Sequence, residues 1–246
     1  MSKLIFIVRH AQTDMNVEEV YYDNHIDEHD VPINDIGIKQ AKLTSAYLAK
    51  YKPDIIHSSP RLRCLQTSNI IAKKSECDIV KNPLLLEGKA GKFHGVKHSK
   101  IMELSQQDVE FMKLYNDREK MEPIARSLHF YEYNKELDML KVRDGESSLI
   151  KRLKGYDKFV KEIISSKYKR ICIVGHSGTI SGLINVICGL ERFKSAGKIV
   201  DKYGNCSITC ILYSKKNPFT HTFTQDYKFY LITHPNNEHL QKMYEL

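Results

Sequence analysis

The sequence predicts an α/β fold, a mostly parallel central sheet with helices on both faces. Two observations predict it. Short apolar runs bounded by polar residues, which read as buried strands, alternate along the chain with longer segments of helical periodicity, the pattern of βαβ units. Several runs also end in residues that do not belong in a bland turn: "LIFIVRHAQTDMN", residues 4–16, passes from five apolar residues straight into Arg9 and His10. In open α/β sheets the residues just past a strand's carboxyl end face the ligand crevice, so this second observation concerns chemistry as well as fold.

The first strand is expected over residues 3–8. "PINDIGIKQAKLTSAYLAKY" then predicts a helix, with Asn34 as N-cap, Ile38, Ala41 and Leu48 on the inner face, and Gly37 and Gln40 as structural residues. "DIIHSS", residues 54–59, reads as the second strand, and a helix through "CLQTSNIIAKK" follows. "DIVKNPLLLE" carries a short third strand running toward Glu87. From about residue 96 to 145 the chain is polar and rich in Tyr, Met and Glu, which predicts a largely helical insertion over the sheet. In "GESSLIKRLKGYDKFVKEIISSK" the residues Leu149, Leu153, Tyr156, Val160 and Ile163 recur at spacings of three and four, the clearest amphipathic helix in the chain. "RICIVGHSGTISGLINVICG" predicts a strand, a tight turn and a helix, and "NCSITCILY" and "YKFYLIT" two further strands. Cys206 and Cys210, four apart, are expected on one face of the first of these, as core residues rather than zinc ligands.

A chain of 246 residues holds one substantial core, and no Gly, Ser or Pro linker divides it, so one domain over residues 1–246 is expected. The 41% hydrophobic and 28% charged content is that of a soluble globular protein, and no apolar run approaches the roughly 20 residues that span a membrane. No export signal is found. The six cysteines are scattered, several inside apolar runs, as buried thiols are; a reducing, cytoplasmic compartment is expected. The net charge of +8 suits a small polyanionic substrate, whereas Lys and Arg form no basic block or aromatic-basic repeat, which argues against a nucleic-acid partner.

Arg9 and His10 follow the first strand, Arg63 follows the second after "HSSP", Glu87 follows the third, and His176 follows "RICIVG". Right-handed crossovers gather the carboxyl ends of parallel strands on one edge, so these residues should converge. Two arginines and two histidines brought together repel one another unless a doubly negative group sits among them, and a phosphoryl group is the simplest such group.

In this order, "LIFIVRHAQT" with Asn16 after it, "INDIGIKQA", "SSPRLRCLQT", "LLLEGKAG", "DGES" and "IVGHSGTI" resemble the histidine phosphatase superfamily and its phosphoglycerate mutase-like fold, over about residues 4–212. The resemblance implies that His10 is a nucleophile that becomes phosphohistidine, that Arg9 and Arg63 clamp the phosphoryl oxygens, that His176 is the second pocket histidine and that Glu87 is the general acid. Asn16 would add a phosphate hydrogen bond, and Ser177 and Gly178 would bind the phosphate or substrate. Independently of the resemblance, Lys89 and Lys92 beside Glu87 offer a cationic rim expected to attract a polyanionic substrate. Two departures from the family pattern stand out. Ala11 replaces the glycine of the usual Arg-His-Gly, adding a methyl and excluding positive φ. Gly88 and Ala90 stand where phosphoglycerate mutases carry an arginine and a tyrosine that hold substrate, which disfavours a mutase.

The residue types support this chemistry. Two guanidinium groups disfavour an imidazolium beside them, so Arg9 and Arg63 are expected to lower the pKa of His10 and keep it nucleophilic, while holding charge on the phosphoryl oxygens. Glu87 would protonate the leaving alkoxide and later deprotonate the water that hydrolyses the phosphohistidine. The implied activity is a metal-independent phosphomonoester hydrolase, without cofactor, acting on a small phosphorylated substrate (a sugar phosphate, a bisphosphate or a nucleotide) or on a phosphoprotein.

Other readings compete. "HIDEHD" places His25 and His29 four apart, and "HGVKH" repeats the spacing at His94 and His98, but their loop context favours solvated or substrate-facing residues over metal ligands. "VGHSGT" nearly makes the Gly-x-Ser-x-Gly elbow of an α/β hydrolase with Ser177 as nucleophile, and fails at Thr179. A phosphoglycerate mutase-type phosphotransferase, or a pseudophosphatase that binds a phosphorylated partner, would use the same pocket. Ser58 is a candidate for a hydrogen bond to a catalytic histidine, or a simple strand-end cap.

Overall fold

The computed structural model describes residues 2–20, 30–88, 95–97, 99–100, 149–188, 203–214 and 229–243. Nearly all of the expected insertion lies outside these residues. Among them a six-stranded sheet forms in the order β3-β2-β4-β1-β5-β6, built from β1 (Lys3–Arg9), β2 (Ile55–Ser58), β3 (Asp78–Lys81), β4 (Arg170–Gly175), β5 (Ile208–Tyr213) and β6 (Phe229–Asn236). The pairs β1·β4, β2·β4 and β2·β3 are parallel, whereas β5 runs antiparallel to β1 and to β6. The expected mostly parallel sheet is therefore present, with an antiparallel edge.

Side-chain alternation along the strands assigns the helices to two faces. Ile5 and Ile7 of β1, with Ile171 and Ile173 of β4, pack on Tyr156, Phe159, Val160 and Ile163 of α4 (Leu149–Ser165) and on Ile180, Leu183 and Ile184 of α5 (Ser177–Cys188). Phe6 and Val8, with Cys172 and Val174, face the other way, onto Leu48 of α2 (Asp35–Ala49) and Cys64 and Ile71 of α3 (Leu62–Ser75). No helix among the described residues is long and apolar enough to cross a membrane.

Several local expectations meet a different outcome. Glu87 does not end a strand: β3 stops at Lys81, Asn82 caps a 3-10 turn over Pro83–Leu85, and Glu87 comes after that turn. Proline at the start of the turn has no N–H for a ladder, which ends the strand early. Cys206 precedes β5 with φ of 57°, so it does not share a strand face with Cys210, and the two thiols are buried in different clusters. The sequence pattern also misses α1 (Asp14–Glu18), a helix too short to show a period. Cys64, Cys77, Cys172, Cys206 and Cys210 are free thiols.

Helix α2 starts as expected, with Asn34 Oδ1 accepting the Gly37 N–H at 2.8 Å. It also braces the segment after β1. The Gln12 carbonyl accepts the Asn34 N–H at 2.9 Å and the Gln12 N–H donates to Gln40 Oε1 at 3.0 Å. The approach is so close that a Cβ on Gly37 would lie 2.2 Å from the Gln12 carbonyl oxygen. Gly37→Ala is therefore expected to destabilise the fold by about 1–3 kcal/mol, the usual cost of overpacking against backbone, read as a lower urea midpoint at unchanged slope.

Candidate active site

Arg9 ends β1 opposite Gly175 at the end of β4, and the His10 N–H donates to the Gly175 carbonyl at 2.9 Å. The pairing brings His10 and His176 together, their ring centroids 5.3 Å apart. His10 Nδ1 lies 2.8 Å from the Ala11 carbonyl. A carbonyl only accepts, so Nδ1 carries the proton and Nε2 keeps its lone pair. Burial first, then the charges of Arg63 and Arg9, hold the His10 pKa well below its ordinary value, with the bond to Ala11 acting in the opposite direction. The two arginines act as expected, but loss of solvent is the larger cause. Ala11, whose φ is not positive, buries its methyl in the cluster formed with Ile33, Ala41, Cys206 and Leu240, and its N–H donates to Thr67 Oγ1 at 3.0 Å.

Arg63 sits in the first turn of α3, is buried, and donates from Nη2 to His176 Nδ1 at 3.2 Å. His176 Nε2 then carries the ring proton and donates to Ser59 Oγ at 2.9 Å. The serine at this histidine is thus Ser59, whereas Ser58 donates to the Ser59 carbonyl. Cys64 Sγ also lies 3.5 Å from His176 Nε2, and burial pushes that thiol up to about 12, so it packs there as a neutral group. Arg9 donates from Nη1 to the Tyr203 carbonyl, and its Nε is buried with no hydrogen-bond partner, a donor suited to an anionic oxygen.

Asp30, which the sequence reading did not select, lies against Arg61, the N-cap residue of α3, and Arg63 in its first turn. Its two oxygens accept the Leu62 N–H at 2.9 and 3.0 Å, and they lie 3.9 Å from Nη1 of Arg61 and of Arg63.

Glu87 reaches the site from the connection beyond β3. Thr179 Oγ1 donates to the carbonyls of Leu85 and Leu86 at 3.1 and 3.2 Å and pins that connection to α5. The carboxylate accepts the Gly88 N–H on Oε1 at 2.9 Å and the Gly178 N–H on Oε2 at 2.8 Å. Gly178 is in the first turn of α5, where backbone N–H groups favour negative charge. A Cβ on Gly178 would stand 2.4 Å from Glu87 Oε1, so the close approach requires glycine. Gly178, expected among the phosphate- or substrate-binding residues, has its N–H engaged by Glu87.

Asn16 lies in α1, where its Oδ1 accepts the Thr13 N–H and the Thr13 hydroxyl, each at 3.1 Å. Asn205, also unforeseen, donates from Nδ2 to that oxygen at 3.0 Å and to the His10 carbonyl at 3.1 Å. Ser177 opens α5 and is half-buried. Lys89 and Lys92 lie outside the described residues, as do Ala90, His25, His29, His94 and His98. Arg9, His10, Arg63 and His176 thus come together with Glu87 at the carboxyl edge of the parallel strands.

The sequence profile of the histidine phosphatase superfamily (branch 1) matches residues 5–226. The chain belongs to this superfamily. A Hydrogenobacter thermophilus relative that carries "phosphoserine phosphatase 2" in its name is 28% identical over 188 residues, 76% of this chain and 80% of the relative. A phosphoglycerate mutase from Bacillus anthracis superposes with a TM-score of 0.69 at 18% identity, covering 98% of this chain and 96% of its own. A mycobacterial glucosyl-3-phosphoglycerate phosphatase superposes with a TM-score of 0.65 at 18% identity, covering 94% of this chain and 98% of its own. At such identity these structures show a shared fold, the phosphoglycerate mutase-like α/β fold of the superfamily.

The depressed pKa of His10 links this histidine phosphatase superfamily site to stability. Between the folded value and the ordinary value of 6.5 the unfolded chain binds a proton that the native chain refuses. The contribution is complete above about pH 6.5 and is lost as pH falls below it, with a slope approaching about 1.4 kcal/mol per pH unit. Urea unfolding at pH 7.5 and 5.5 should show a smaller acid loss for His10→Gln than for the unsubstituted chain.

Proposed function

We propose that this chain is a phosphomonoester hydrolase that works through a phosphohistidine on His10. One observation carries the reading: a buried imidazole with its Nε2 lone pair available stands among Arg9, Arg63 and a carboxylate held on a helix N-terminus. Nε2 attacks phosphorus, the ester P–O bond breaks, and the leaving oxygen takes a proton from Glu87, which enters this step as the carboxylic acid and leaves it as the carboxylate. Water then attacks the phosphohistidine while Glu87 takes its proton, returning free His10 and inorganic phosphate. Arg9 and Arg63 hold charge on the phosphoryl oxygens throughout, and His176 keeps the Arg63 guanidinium in place by accepting from it.

The substrate class is a small anionic phosphate ester. Names among the relatives and structural neighbours, phosphoserine phosphatase and glucosyl-3-phosphoglycerate phosphatase, support a phosphate carried by a small acidic molecule. The phosphoglycerate mutase neighbour supports a second reading, transfer back to the substrate. Gly88 weighs against it, because it brings no side chain to hold a dephosphorylated intermediate and its N–H is engaged by Glu87. Rapid quenching with labelled substrate should trap an acid-labile, base-stable phosphoenzyme that His10→Ala abolishes together with turnover. Wild-type turnover in His10→Ala would refute the mechanism, and isomerisation of phosphoglycerate faster than phosphate release would favour the mutase.

Glu87 has its own signature. Glu87→Gln should slow an alkyl phosphate by about 100-fold to 10,000-fold and p-nitrophenyl phosphate far less, because an aryl oxide leaves with little help. Gly178→Ala should reproduce that selectivity by displacing the carboxylate, while thermal stability holds, since alanine favours helical backbone over glycine. Equal losses on both substrates would assign Glu87 a binding role.

A further inference from the structure

We infer that Asn205 is a positioning residue that fixes which end of the Asn16 carboxamide is available to a bound phosphate. The inference rests on the phosphatase reading and goes beyond it, since it assigns a role to a residue far from every catalytic motif in the sequence.

Residues 203–207 form the turn that enters β5 and grip the end of β1. The Arg9 N–H donates to the Ser207 carbonyl at 3.2 Å, the Cys206 N–H donates to the Arg9 carbonyl at 3.1 Å and reaches the His10 carbonyl at 3.3 Å, and the Arg9 guanidinium donates to the Tyr203 carbonyl. The turn is held hard in return. Cys206 is in the left-handed region at φ 57°, and a Cβ on Gly204 would lie 2.4 Å from Asn237 Nδ2. A non-glycine residue keeps such a backbone only where its surroundings over-determine it.

In those hydrogen bonds the turn contributes only backbone atoms, which many sequences could supply. Asn205 differs, because its side-chain nitrogen has two hydrogens and two acceptors, the His10 carbonyl at 3.1 Å and Asn16 Oδ1 at 3.0 Å. Asn16 Oδ1 then takes donors from Thr13 N–H, Thr13 Oγ1 and Asn205 Nδ2. A carboxamide oxygen satisfied by three donors cannot exchange places with its nitrogen without setting donor against donor. The Asn16 amide is thereby locked with its oxygen on these donors, which leaves Nδ2, a group that only donates, as the branch offered to a ligand. A phosphoryl oxygen accepts from that branch and is repelled by a carbonyl oxygen, so the lock decides the sign of the interaction. The His10 carbonyl keeps the Cys206 N–H when Asn205 is lost, so the effect of replacing Asn205 falls chiefly on Asn16.

The experiment is a double-variant cycle on the full chain, using Asn205→Ala, Asn16→Ala and the pair, with inorganic phosphate as the probe. Its dissociation constant is read by calorimetry, together with kcat and KM on p-nitrophenyl phosphate and the melting temperature of each variant. Asn205→Ala should weaken phosphate binding roughly tenfold alone, the scale of a hydrogen bond to a charged group, and no more than about twofold when Asn16 is already alanine. Asn205→Asp, which has nearly the same shape and turns the donor into an acceptor, should weaken binding more than Asn205→Ala does. The inference is overturned by equal losses in both Asn16 backgrounds, by a lower melting temperature with unchanged phosphate affinity, or by Asn205→Asp binding phosphate as well as the unsubstituted chain. Phosphate affinity is read without turnover, so a chain that binds phosphate in this pattern but hydrolyses no ester would refute the phosphatase reading and leave this one standing.

Discussion

The parallel pairing of β1 with β4 stays in register to its last residues, Arg9 opposite Gly175, and the His10 N–H extends the ladder by one more bond to the Gly175 carbonyl. This extension sets the two histidines edge to face beyond the sheet and leaves each followed by chain that leaves the strand plane. A shift of one residue would turn Arg9, His10 and the apolar residues before them to the opposite faces. The apolar alternation of Ile5 and Ile7 against Phe6 and Val8, buried on two different helix layers, resists such a shift along the whole strand. Core packing thus supplies the registry on which the geometry of the candidate site depends.

Concentrating cations at a buried edge is expensive unless each finds compensation. Here the compensation is distributed. Asp30 lies beside Arg61 and Arg63 while closing the first turn of α3, and the charge of Glu87 offsets the burial of Arg9 and Arg63. His10 takes the other course and stays neutral. In the proposed mechanism, fixed donors around a neutral nucleophile are organised before substrate arrives, which is the condition under which electrostatic stabilisation of a transferring phosphoryl group is largest.

Two glycines control how closely chain segments approach this edge. Gly37 lets the start of α2 press on Gln12, two residues past His10, and Gly178 lets the Glu87 carboxylate reach the first turn of α5. In both places a backbone group of one segment touches a polar oxygen of another, so the close approach is stabilised by hydrogen bonds as well as permitted by the missing side chain.

The sequence by itself determined the strands and main helices of the described residues, because apolar periodicity records which face of each element is buried, and it determined the Asn34 cap, whose hydrogen bond spans three residues. It also pointed to Arg9, His10, Arg63 and His176, since parallel strands must end on a common edge. Tertiary structure decided the rest. Ser59 rather than Ser58 meets His176 because adjacent residues at a strand end point in different directions. The proline-started turn after β3, pinned by Thr179, carries Glu87 to the site, and no strand does. Asp30 and Asn205 act on partners tens to nearly two hundred residues away, Leu62 for the first and Asn16 and His10 for the second. A lone Asp or Asn in a turn has the same local pattern whether or not such a partner exists. Hydrogen bonds between distant segments leave no period in the sequence, and only the folded chain brings those donors and acceptors within reach.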